Sequence, residues 1–365
     1  MHKSSDIFIG LMSGTSLDGA DAVACRFKDS SVEFLSYAHL PYSVTLRKSL
    51  LSLLKPGEDE INRCGRTGIQ LAHFYAQVVR KLLAQMNLSA DEVNAIGVHG
   101  QTIRHCPESG FTVQLNNPAL LAELTDIDVI ADFRSRDMAA GGEGAPLVPA
   151  FHACVFSATT PRAIVNIGGI ANITLLNGKD VLGFDCGPGN TLMDIWVQKH
   201  CGLFFDENGR WAMKGKVIPE LLDALLTDPY FSRKPPKSTG REYFNENWLI
   251  ERYPLLSDLA PQDVQRTLAR LTAKGILDAI DKTQPQTAEL FVCGGGALNP
   301  LLIEELQNGR YRVSSTARLG VDPMHVESMA FAWLAYRFVN KKAGNLPAVT
   351  RARGERILGA LYPAH

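Results

Sequence analysis

The sequence predicts an α/β protein with two lobes around a cleft, and three observations support this class. Apolar runs of strand length alternate with longer runs of helical spacing in both halves of the chain, which is typical of α/β proteins. A hairpin with a glycine-containing polar turn opens each half, over residues 7–25 and 162–176. The glycine- and proline-rich stretch 139–149 is typical of a domain boundary or hinge.

These observations set the expected domain limits. We expect an N-terminal lobe over residues 1–140, carrying the first hairpin, and a C-terminal lobe over residues 141–350, carrying the second. We expect residues 351–365 to form a tail that packs back near the interface of the lobes. The second hairpin repeats the order of the first, strand, polar glycine turn and strand, which indicates a weak internal repeat.

The first half is predicted to begin with its hairpin, because alternating apolar residues lie on both sides of the turn 12–19. A helix over residues 59–86 is predicted from apolar residues at helical spacing, namely Ile61, Ile69, Leu71, Phe74, Val78 and Leu82. The other predicted elements are strands over residues 32–40, 94–100, 111–115 and 128–131 and helices over residues 46–54 and 118–125.

The second half is predicted to follow its hairpin with a strand over residues 181–184 that runs into the segment 185–190. A polar, proline-bearing stretch over residues 232–242 indicates a mobile loop. The other predicted elements are a strand over residues 289–293, which leads into the triple glycine 294–296, and helices over residues 191–201, 261–283 and 327–337.

Composition excludes several classes of function. The chain has 365 residues, 45% of them hydrophobic and 21% charged, with a formal net charge of −1. Basic and acidic residues are spread throughout, which disfavours nucleic-acid binding. No apolar run approaches the roughly 20 residues of a membrane span, and no signal peptide is evident. Seven cysteines without CxxC spacing are typical of a reduced, cytoplasmic protein.

The first turn, MSGTSLDG over residues 12–19, has the composition of an anion site. Its glycines allow close approach, and backbone N–H groups and hydroxyls can converge on one point. Asp18 would repel a phosphate unless a divalent cation lay between them, which indicates Mg²⁺. The alternative is a polar turn that binds nothing.

Three common nucleotide-binding classes do not fit. The run GGGALN over residues 294–299 does not match GxGxxG, and no acidic ribose-binding residue follows at the usual distance. A P-loop sequence and the protein-kinase signatures are absent from the sequence. Two phosphate-type hairpins and a late strand–glycine–helix unit remain to be explained.

That arrangement resembles the sugar kinase, heat-shock and actin superfamily, and hence the two-lobed actin/hexokinase-like ATPase fold. Taken together, the motifs resemble the anhydro-N-acetylmuramic acid kinase family from the first strand to LGALYP at residues 358–363. The motifs are GLMSGTSLDG (10–19), HGQTIRH (99–105), ADFR (131–134), GAPLVP (144–149), NIGG (166–169), FDCGPGN (184–190), PKSTGRE (236–242) and CGGGALN (293–299).

The resemblance implies a kinase of cell-wall recycling that uses ATP, Mg²⁺ and water. Its reaction converts 1,6-anhydro-N-acetylmuramic acid to N-acetylmuramic acid 6-phosphate, with hydrolytic opening of the 1,6-anhydro bridge. This chemistry needs a base for water at C1, metal-clamped phosphates near O6 and a site closed to bulk water. The resemblance also implies a homodimer that binds a small amino sugar.

Asp185 is the expected catalytic base, because it ends a buried strand before Gly-Pro-Gly and the family's catalytic aspartate lies in this motif. Attack by water on one face of the ring, with the leaving oxygen on the other, fits an inverting reaction. The alternative is an aspartate that caps the following helix through Asn190 or Thr191.

The resemblance also implies the nucleotide contacts. The first turn would cradle the β- and γ-phosphates, with Asp18 on Mg²⁺ directly or through water, and the late glycines would flank adenosine. The implied ATP-binding residues are Met12, Ser13, Gly14, Thr15, Ser16, Leu17, Asp18, Gly19, Asn166, Gly168, Gly169, Gly294, Gly295, Gly296 and Asn299.

The substrate carries a lactyl carboxylate, for which Arg134 is the first cationic candidate and Arg136 the second. His99 and Gln101 follow a strand and are expected to hydrogen-bond the sugar. Glu327 is expected to orient a sugar hydroxyl, the catalytic water or Mg²⁺. A solvated arginine and a glutamate favoured by the helix dipole are the alternatives for Arg134 and Glu327. Lys237, Ser238 and Arg241 are candidates for a closing loop.

Two other functions are kept open. One is a plain sugar kinase, in which Asp185 deprotonates a free hydroxyl and no ring opens. The other is an ATP-gated interaction protein of the actin or chaperone type, with slow ATP turnover and a polymer or peptide surface. The chain offers no evident peptide-binding extension.

Overall fold

Strands and helices form two separate units in the computed structural model, which describes residues 5–14, 17–28 and 31–365. The first unit comprises Met1–Val155 and His325–His365, and the second comprises Phe156–Met324. Each unit has its own core of buried apolar side chains. The prediction of a two-part α/β protein is therefore confirmed.

The strands are β1 (Ile7–Met12), β2 (Gly19–Lys28), β3 (Ser31–Pro41), β4 (Ala95–Val98), β5 (Gln101–Cys106), β6 (Phe111–Leu115), β7 (Val129–Ala131), β8 (Arg162–Ile167), β9 (Ile170–Asn177), β10 (Asp180–Pro188), β11 (Glu289–Cys293), β12 (Arg312–Ser315) and β13 (Ala360–Tyr362). The α-helices are α1 (Val44–Leu53), α2 (Glu60–Met86), α3 (Pro118–Thr125), α4 (Ser135–Ala139), α5 (Val148–Phe156), α6 (Thr191–Cys201), α7 (Pro219–Leu226), α8 (Pro229–Ser232), α9 (Glu246–Arg252), α10 (Pro261–Thr283), α11 (Pro300–Gln307), α12 (Val326–Val339) and α13 (Pro347–Thr350).

The two main sheets share one topology. In the first unit the strand order is β13-β7-β4-β1-β2-β3, and in the second it is β10-β9-β8-β11-β12. In the first sheet, β1, β2 and β3 pair antiparallel, and β4 and β7 run parallel to β1. In the second sheet, β8, β9 and β10 likewise pair antiparallel, and β11 and β12 run parallel to β8. Strand β13 is an additional edge strand of the first sheet. The weak sequence repeat of the two hairpins thus corresponds to a repeated sheet.

Helix α12 lies directly on the sheet of the first unit. A Cβ atom on Gly10 would lie 1.8 Å from the carbonyl oxygen of Ser328, and one on Gly97 would lie 2.1 Å from that of Phe331. Real Cβ atoms do not approach other atoms so closely, so both strands need glycine at these points. The close contact holds the first turn of α12, which carries Glu327, on the sheet.

Helix α2 confirms the predicted helix but shows that two of its apolar residues do not face the core. Leu71, Val78 and Leu82 are fully buried, whereas Ile61 and Ile69 are 88% and 46% exposed. The buried stripe is completed by small and aromatic residues, Thr67, Gly68, Ala72, Tyr75, Ala76 and Val79. Periodicity of large apolar residues alone therefore misjudged the face.

The structure divides the chain at Val155 and Met324, whereas the sequence-based limits were 140 and 350. The glycine-rich stretch 139–149 lies inside the first unit because the C-terminal segment pairs with it: the Glu143 N–H donates to the Thr350 carbonyl at 2.7 Å. Strand β13, in the expected tail, pairs antiparallel with β7 at the edge of the first sheet.

Strand β10 is longer than the predicted strand 181–184, because it continues to Pro188 across a β-bulge between Asp185 and Gly187. Within the described residues, no helix combines the length and apolarity that a membrane crossing requires.

Candidate active-site residues

The turn between β1 and β2 is fixed to the interior of the first unit by hydrogen bonds. The Ser13 hydroxyl lies 2.6 Å from the Tyr75 hydroxyl and donates to the Gly100 carbonyl at 3.3 Å. The Gln101 side chain donates from Nε2 to the Gly14 carbonyl at 3.1 Å. Ser13 and Gln101 are each only 1% exposed. Both side chains therefore hold the turn in place from inside the unit.

The end of the turn is also held by its neighbours. Leu17 has a φ of 56°, and its carbonyl accepts from Arg47 Nε at 2.9 Å. The Asp18 carbonyl accepts from the Tyr42 N–H at 3.0 Å. Met12 ends β1 and Gly19 begins β2, as the predicted hairpin requires. Thr15 and Ser16, also expected to bind ATP, lie outside the described residues.

Asp18 is the carboxylate that the sequence analysis expects to bind Mg²⁺ directly or through water, and its side chain is exposed. Within residues 5–14, 17–28 and 31–365, no group of three or more His, Cys, Asp or Glu residues is placed to bind a metal. Mg²⁺ in phosphoryl-transfer sites usually takes one or two carboxylates, with phosphate oxygens and water completing its shell. A single exposed carboxylate beside the turn fits that donor set.

His99 and Arg134 form a hydrogen-bonded pair in the first unit. Arg134 donates from Nε and Nη2 to His99 Nε2 at 3.1 and 2.9 Å, and from Nη1 to the Gly144 carbonyl at 2.7 Å. Burial and the adjacent Arg134 cation hold the pKa of His99 well below its usual range. His99 is therefore neutral near pH 7 and accepts hydrogen bonds at Nε2.

Two carboxylates stabilise the charge of Arg134. Burial lowers the pKa of Arg134 to about 10, and the negative charges of Glu327 and Asp137 oppose that shift. Arg134 thus stays protonated near pH 7, with Glu327 in its electrostatic environment. Of the residues predicted to bind the sugar, the structure brings Arg134, Glu327 and His99 together.

Gln101, the fourth predicted sugar-binding residue, uses its side chain inside the protein. Besides the bond from its Nε2 to Gly14, its Oε1 accepts from the Tyr42 hydroxyl at 3.3 Å. These contacts assign it a part in shaping the first turn.

In the second unit, the turn between β8 and β9 packs against the start of α6. The N–H groups of Asn190 and Thr191 donate to the carbonyls of Gly168 and Gly169 at 2.8 and 3.0 Å. Asn190 Nδ2 also donates to the Gly168 carbonyl at 3.0 Å. A Cβ on Gly189 would lie 2.4 Å from that same oxygen, so glycine is required there.

Polar groups border this turn. Thr191, the first residue of α6, is 2% exposed, and its Oγ1 has no hydrogen-bond partner among the described residues. A Cβ on Gly169 would lie 2.8 Å from Thr191 Oγ1 and 3.0 Å from Nε and Nη2 of Arg241. A helix N-terminus, a buried hydroxyl and a guanidinium around one glycine form surroundings that suit an anion.

The triple glycine lies against the end of β8. Gly294 has a φ of 76°, and a Cβ there would lie 2.1 Å from Oδ1 of Asn166. A Cβ on Gly296 would lie 2.4 Å from Cγ2 of Ile167. The structure thus brings the expected phosphate and adenosine motifs of the second unit into contact, and glycine is required at both positions.

The remaining residues of these two motifs differ in their surroundings. Asn166 is 5% exposed, and its buried Oδ1 has no hydrogen-bond partner in the described part of the chain. Gly295 is exposed. Asn299 Oδ1 accepts from the Leu301 N–H at 3.1 Å and caps α11, which is a structural role of the common kind.

Asp185 is held by a loop and by an aromatic residue. Its N–H donates to the Lys237 carbonyl at 3.0 Å, and its Oδ2 accepts from the Thr239 N–H at 3.0 Å. The Tyr230 hydroxyl donates to the Asp185 carbonyl at 2.8 Å. The side chain is half-buried. These contacts fix the backbone of Asp185 in strand β10 and orient its carboxylate toward the Thr239 N–H.

The loop that holds Asp185 also reaches the phosphate-type turn. Thr239 contacts the carboxylate, and Arg241, two residues later, lies beside Gly169. Asp194, in the first turn of α6, has a pKa raised to about 7 by burial, and Arg241 opposes that shift. The predicted loop candidates Lys237 and Arg241 thus border the expected base and phosphate motifs.

Sequence reasoning gave no site role to Tyr230 or Thr239, and it considered Thr191 only as a helix-cap position beside Asp185. Thr191 directly follows the FDCGPGN motif, and the predicted helix 191–201 begins with it. Tyr230 lies 45 residues from Asp185 in the chain, and nothing in the local sequence marks it.

Comparisons with known proteins agree with the motifs. The chain matches the family model of anhydro-N-acetylmuramic acid kinase over residues 6–364. It is 52% identical over 372 residues to the anhydro-N-acetylmuramic acid kinase of Burkholderia ambifaria, with 99% of this chain and 97% of the relative covered. It is 51% identical over 375 residues to that of Variovorax paradoxus, with 99% and 100% covered.

Proposed function

Because the chain belongs to the anhydro-N-acetylmuramic acid kinase family, we propose that it phosphorylates 1,6-anhydro-N-acetylmuramic acid in cell-wall recycling. ATP and water are consumed, and N-acetylmuramic acid 6-phosphate and ADP are formed. The observation that carries this proposal is sequence identity: 52% and 51% of the aligned residues are identical to those of two anhydro-N-acetylmuramic acid kinases, and each alignment covers 99% of this chain.

The chemistry assigned to Asp185 is general-base catalysis. Its carboxylate takes a proton from a water molecule, whose oxygen attacks C1 of the sugar. The C1–O6 bond breaks, and the released O6 attacks the γ-phosphorus of ATP while the bond to the ADP oxygen breaks. The contacts from Lys237, Thr239 and Tyr230 support this role, because a base must be held in one orientation.

The nucleotide assignments rest on the glycine-rich turns. In the first unit, we assign phosphate contacts to Met12, Ser13, Gly14, Thr15, Ser16, Leu17, Asp18 and Gly19. In the second unit, we assign phosphate contacts to Asn166, Gly168 and Gly169, and adenosine contacts to Gly294, Gly295, Gly296 and Asn299. Close packing at Gly294 and Gly296 and the unpartnered oxygen of Asn166 among the described residues support these roles.

Mg²⁺, when bound, would take oxygen ligands from Asp18, directly or through water, and from the phosphates, whose charge it would neutralise.

The sugar assignments rest on the first unit. Arg134 binds the lactyl carboxylate, and His99, held neutral, completes the polar surface beside it. Glu327 orients a sugar hydroxyl or the attacking water, which its half-buried carboxylate near Arg134 supports. Gln101, predicted to bind the sugar, is assigned to support of the phosphate-binding turn, because its side chain bonds to Gly14 and Tyr42. A homodimer in the cytoplasm completes the proposal.

The test is phosphorylation of the anhydro sugar by ATP in ¹⁸O-labelled water, followed by mass spectrometry of the product. We expect one ¹⁸O atom at C1 and none in the phosphate. N-acetylmuramic acid offered in place of the anhydro sugar is the control. Equal phosphorylation of both sugars, without label at C1 from the anhydro sugar, would support a plain sugar kinase instead.

A further inference from the structure

Asp137 in α4 is a fully buried carboxylate, with 0% of its surface exposed. Its Oδ1 accepts from Asn345 Nδ2 at 2.6 Å and from the Thr350 hydroxyl at 2.7 Å. Its Oδ2 accepts from the Gly144 N–H at 2.9 Å. Burying a carboxylate is costly unless donors replace water, and these three donors do so.

Gly144 links this carboxylate to Arg134. The N–H of Gly144 donates to Asp137, and its carbonyl accepts from Arg134 Nη1 at 2.7 Å. The other donors of the same guanidinium, Nε and Nη2, contact His99. The position of one glycine, and with it the orientation of the guanidinium, therefore depends on Asp137.

The loop over residues 139–144 is shaped around the carboxylate. A Cβ on Gly142 would lie 2.2 Å from Asp137 Oδ2, so the chain closes directly over this oxygen. The Arg353 N–H donates to the Ala140 carbonyl at 2.8 Å. The C-terminal segment thus braces the loop by its backbone, and it braces Asp137 by two side chains.

We propose that Asp137 is a positioning residue that, together with Asn345 and Thr350, sets the orientation of Arg134 and thereby the preference for a sugar that carries a carboxylate. The inference rests on the proposed function, in which Arg134 binds the lactyl group. Its physical basis is that a fork of donors recognises a carboxylate only in one orientation.

The negative charge of Asp137 acts in the same direction. It opposes the lowering of the Arg134 pKa by burial, as does Glu327. A neutral replacement would leave the hydrogen-bonded loop with a weaker partner and Arg134 with one less stabilising charge. Asp137 therefore affects both the orientation of the guanidinium and the stability of its charge.

The experiment compares two substrates, 1,6-anhydro-N-acetylmuramic acid and 1,6-anhydro-N-acetylglucosamine, which lacks the lactyl group. The variants are Thr350→Val and Asp137→Asn, and the readout is the ratio of kcat/KM for the two sugars. We expect each variant to lower this ratio about tenfold, as loss of a hydrogen bond to a charged group does. The KM for ATP stays within about twofold, and Thr350→Ser restores the ratio.

Thr125→Val is the matched control, because Thr125 is a buried threonine of the same unit whose hydroxyl donates to the Leu121 carbonyl. It should leave the ratio unchanged. An equal loss on both sugars in Thr350→Val would indicate a structural role only and overturn the proposal. If Asp137→Asn fails to fold, the Val and Ser variants of Thr350 decide the question.

Failure of the proposed function would look different. A wild-type protein that phosphorylates neither sugar would contradict the function itself. A wild-type protein that uses both sugars equally well would retain the kinase activity but overturn the role of Asp137, because no preference would exist for it to set.

Discussion

At the scale of single residues, Asp185 owes its orientation to contacts that come from outside its strand. Two of them come from the backbone of the loop 237–239 and one from the hydroxyl of Tyr230. The identity of the carboxylate could be predicted from its motif. Its partners could not, because they lie 45 to 54 residues away in the chain.

We expect Asp185→Asn to lower kcat by about 10²- to 10⁴-fold, the usual contribution of a general base. Binding of ATP and of the sugar should change little, because the amide has the shape of the carboxylate. Calorimetric titration and product formation measure the two effects. Asp180→Asn, at the exposed start of the same strand, is the control. Near-wild-type turnover in Asp185→Asn would remove the assigned base.

Asp194 is expected to make stability depend on pH. Burial raises its pKa from the ordinary aspartate value of 3.8 to about 7 in the folded state. Between these values the folded protein retains a proton that the unfolded chain has released, so its contribution to stability falls as pH rises through this window.

Asp194→Asn should therefore gain stability over wild type as pH rises from 5 to 8, by up to about 1.4 kcal/mol per pH unit. Urea unfolding at four pH values measures this difference. Asp223→Asn, at an exposed position of α7, should show no such trend. A constant difference between Asp194→Asn and wild type would show that Asp194 is not buried as a neutral acid.

At the scale of elements, helix bounds were predicted best where local chemistry marks the ends. Helices α3, α6 and α10 have the predicted bounds. Proline begins α3 and α10, and a glycine with a φ of 70° ends α6. The end of β10 was not predicted, because its bulge is set by pairing with β9, which no local signal marks.

Helix α2 contains two glycines that differ in their surroundings. A Cβ on Gly65 would meet no atom within 4 Å, whereas one on Gly68 would lie 3.3 Å from the Asn116 carbonyl oxygen. Glycine in a helix interior costs conformational entropy that alanine avoids.

We expect Gly65→Ala to raise the free energy of unfolding by about 0.5–1 kcal/mol. Chemical denaturation of the two variants and wild type measures it. Gly68→Ala, the control, should gain less or lose stability, because the Asn116 backbone must move. Equal gains in both variants would contradict the packing described around Gly68.

At the scale of the whole molecule, the repeat of the two sheets could be predicted only in outline. The two hairpins carry similar glycine turns, but the shared strand order depends on pairing between distant segments. The domain limits could not be predicted, because His325–His365 returns to the first unit. That return depends on contacts such as those of Asn345 and Thr350 with Asp137.

We expect truncation after Gly359 to destabilise the first unit. Strand β13 would be lost, and the edge of β7 would be left open at three ladder positions. The expected cost is about 1–3 kcal/mol, with more aggregation from the unpaired edge. Thermal unfolding and light scattering measure both effects, and truncation after Tyr362, which keeps β13, is the control. Identical behaviour of the two truncations would contradict a stabilising role of the strand.

The direct seating of α12 on two glycines has a consequence for how the protein tolerates variation. Every substitution at Gly10 or Gly97 adds at least one carbon where a backbone atom of the helix already lies. In a complete mutational scan scored by activity in cells, both positions should therefore be as intolerant as Asp185. When the same scan is scored by protein abundance, substitutions at Gly10 and Gly97 should lower abundance, whereas Asp185 variants should accumulate as folded but inactive protein. The intolerance of the two glycines in the activity scan would thus come from the space that they leave for helix α12.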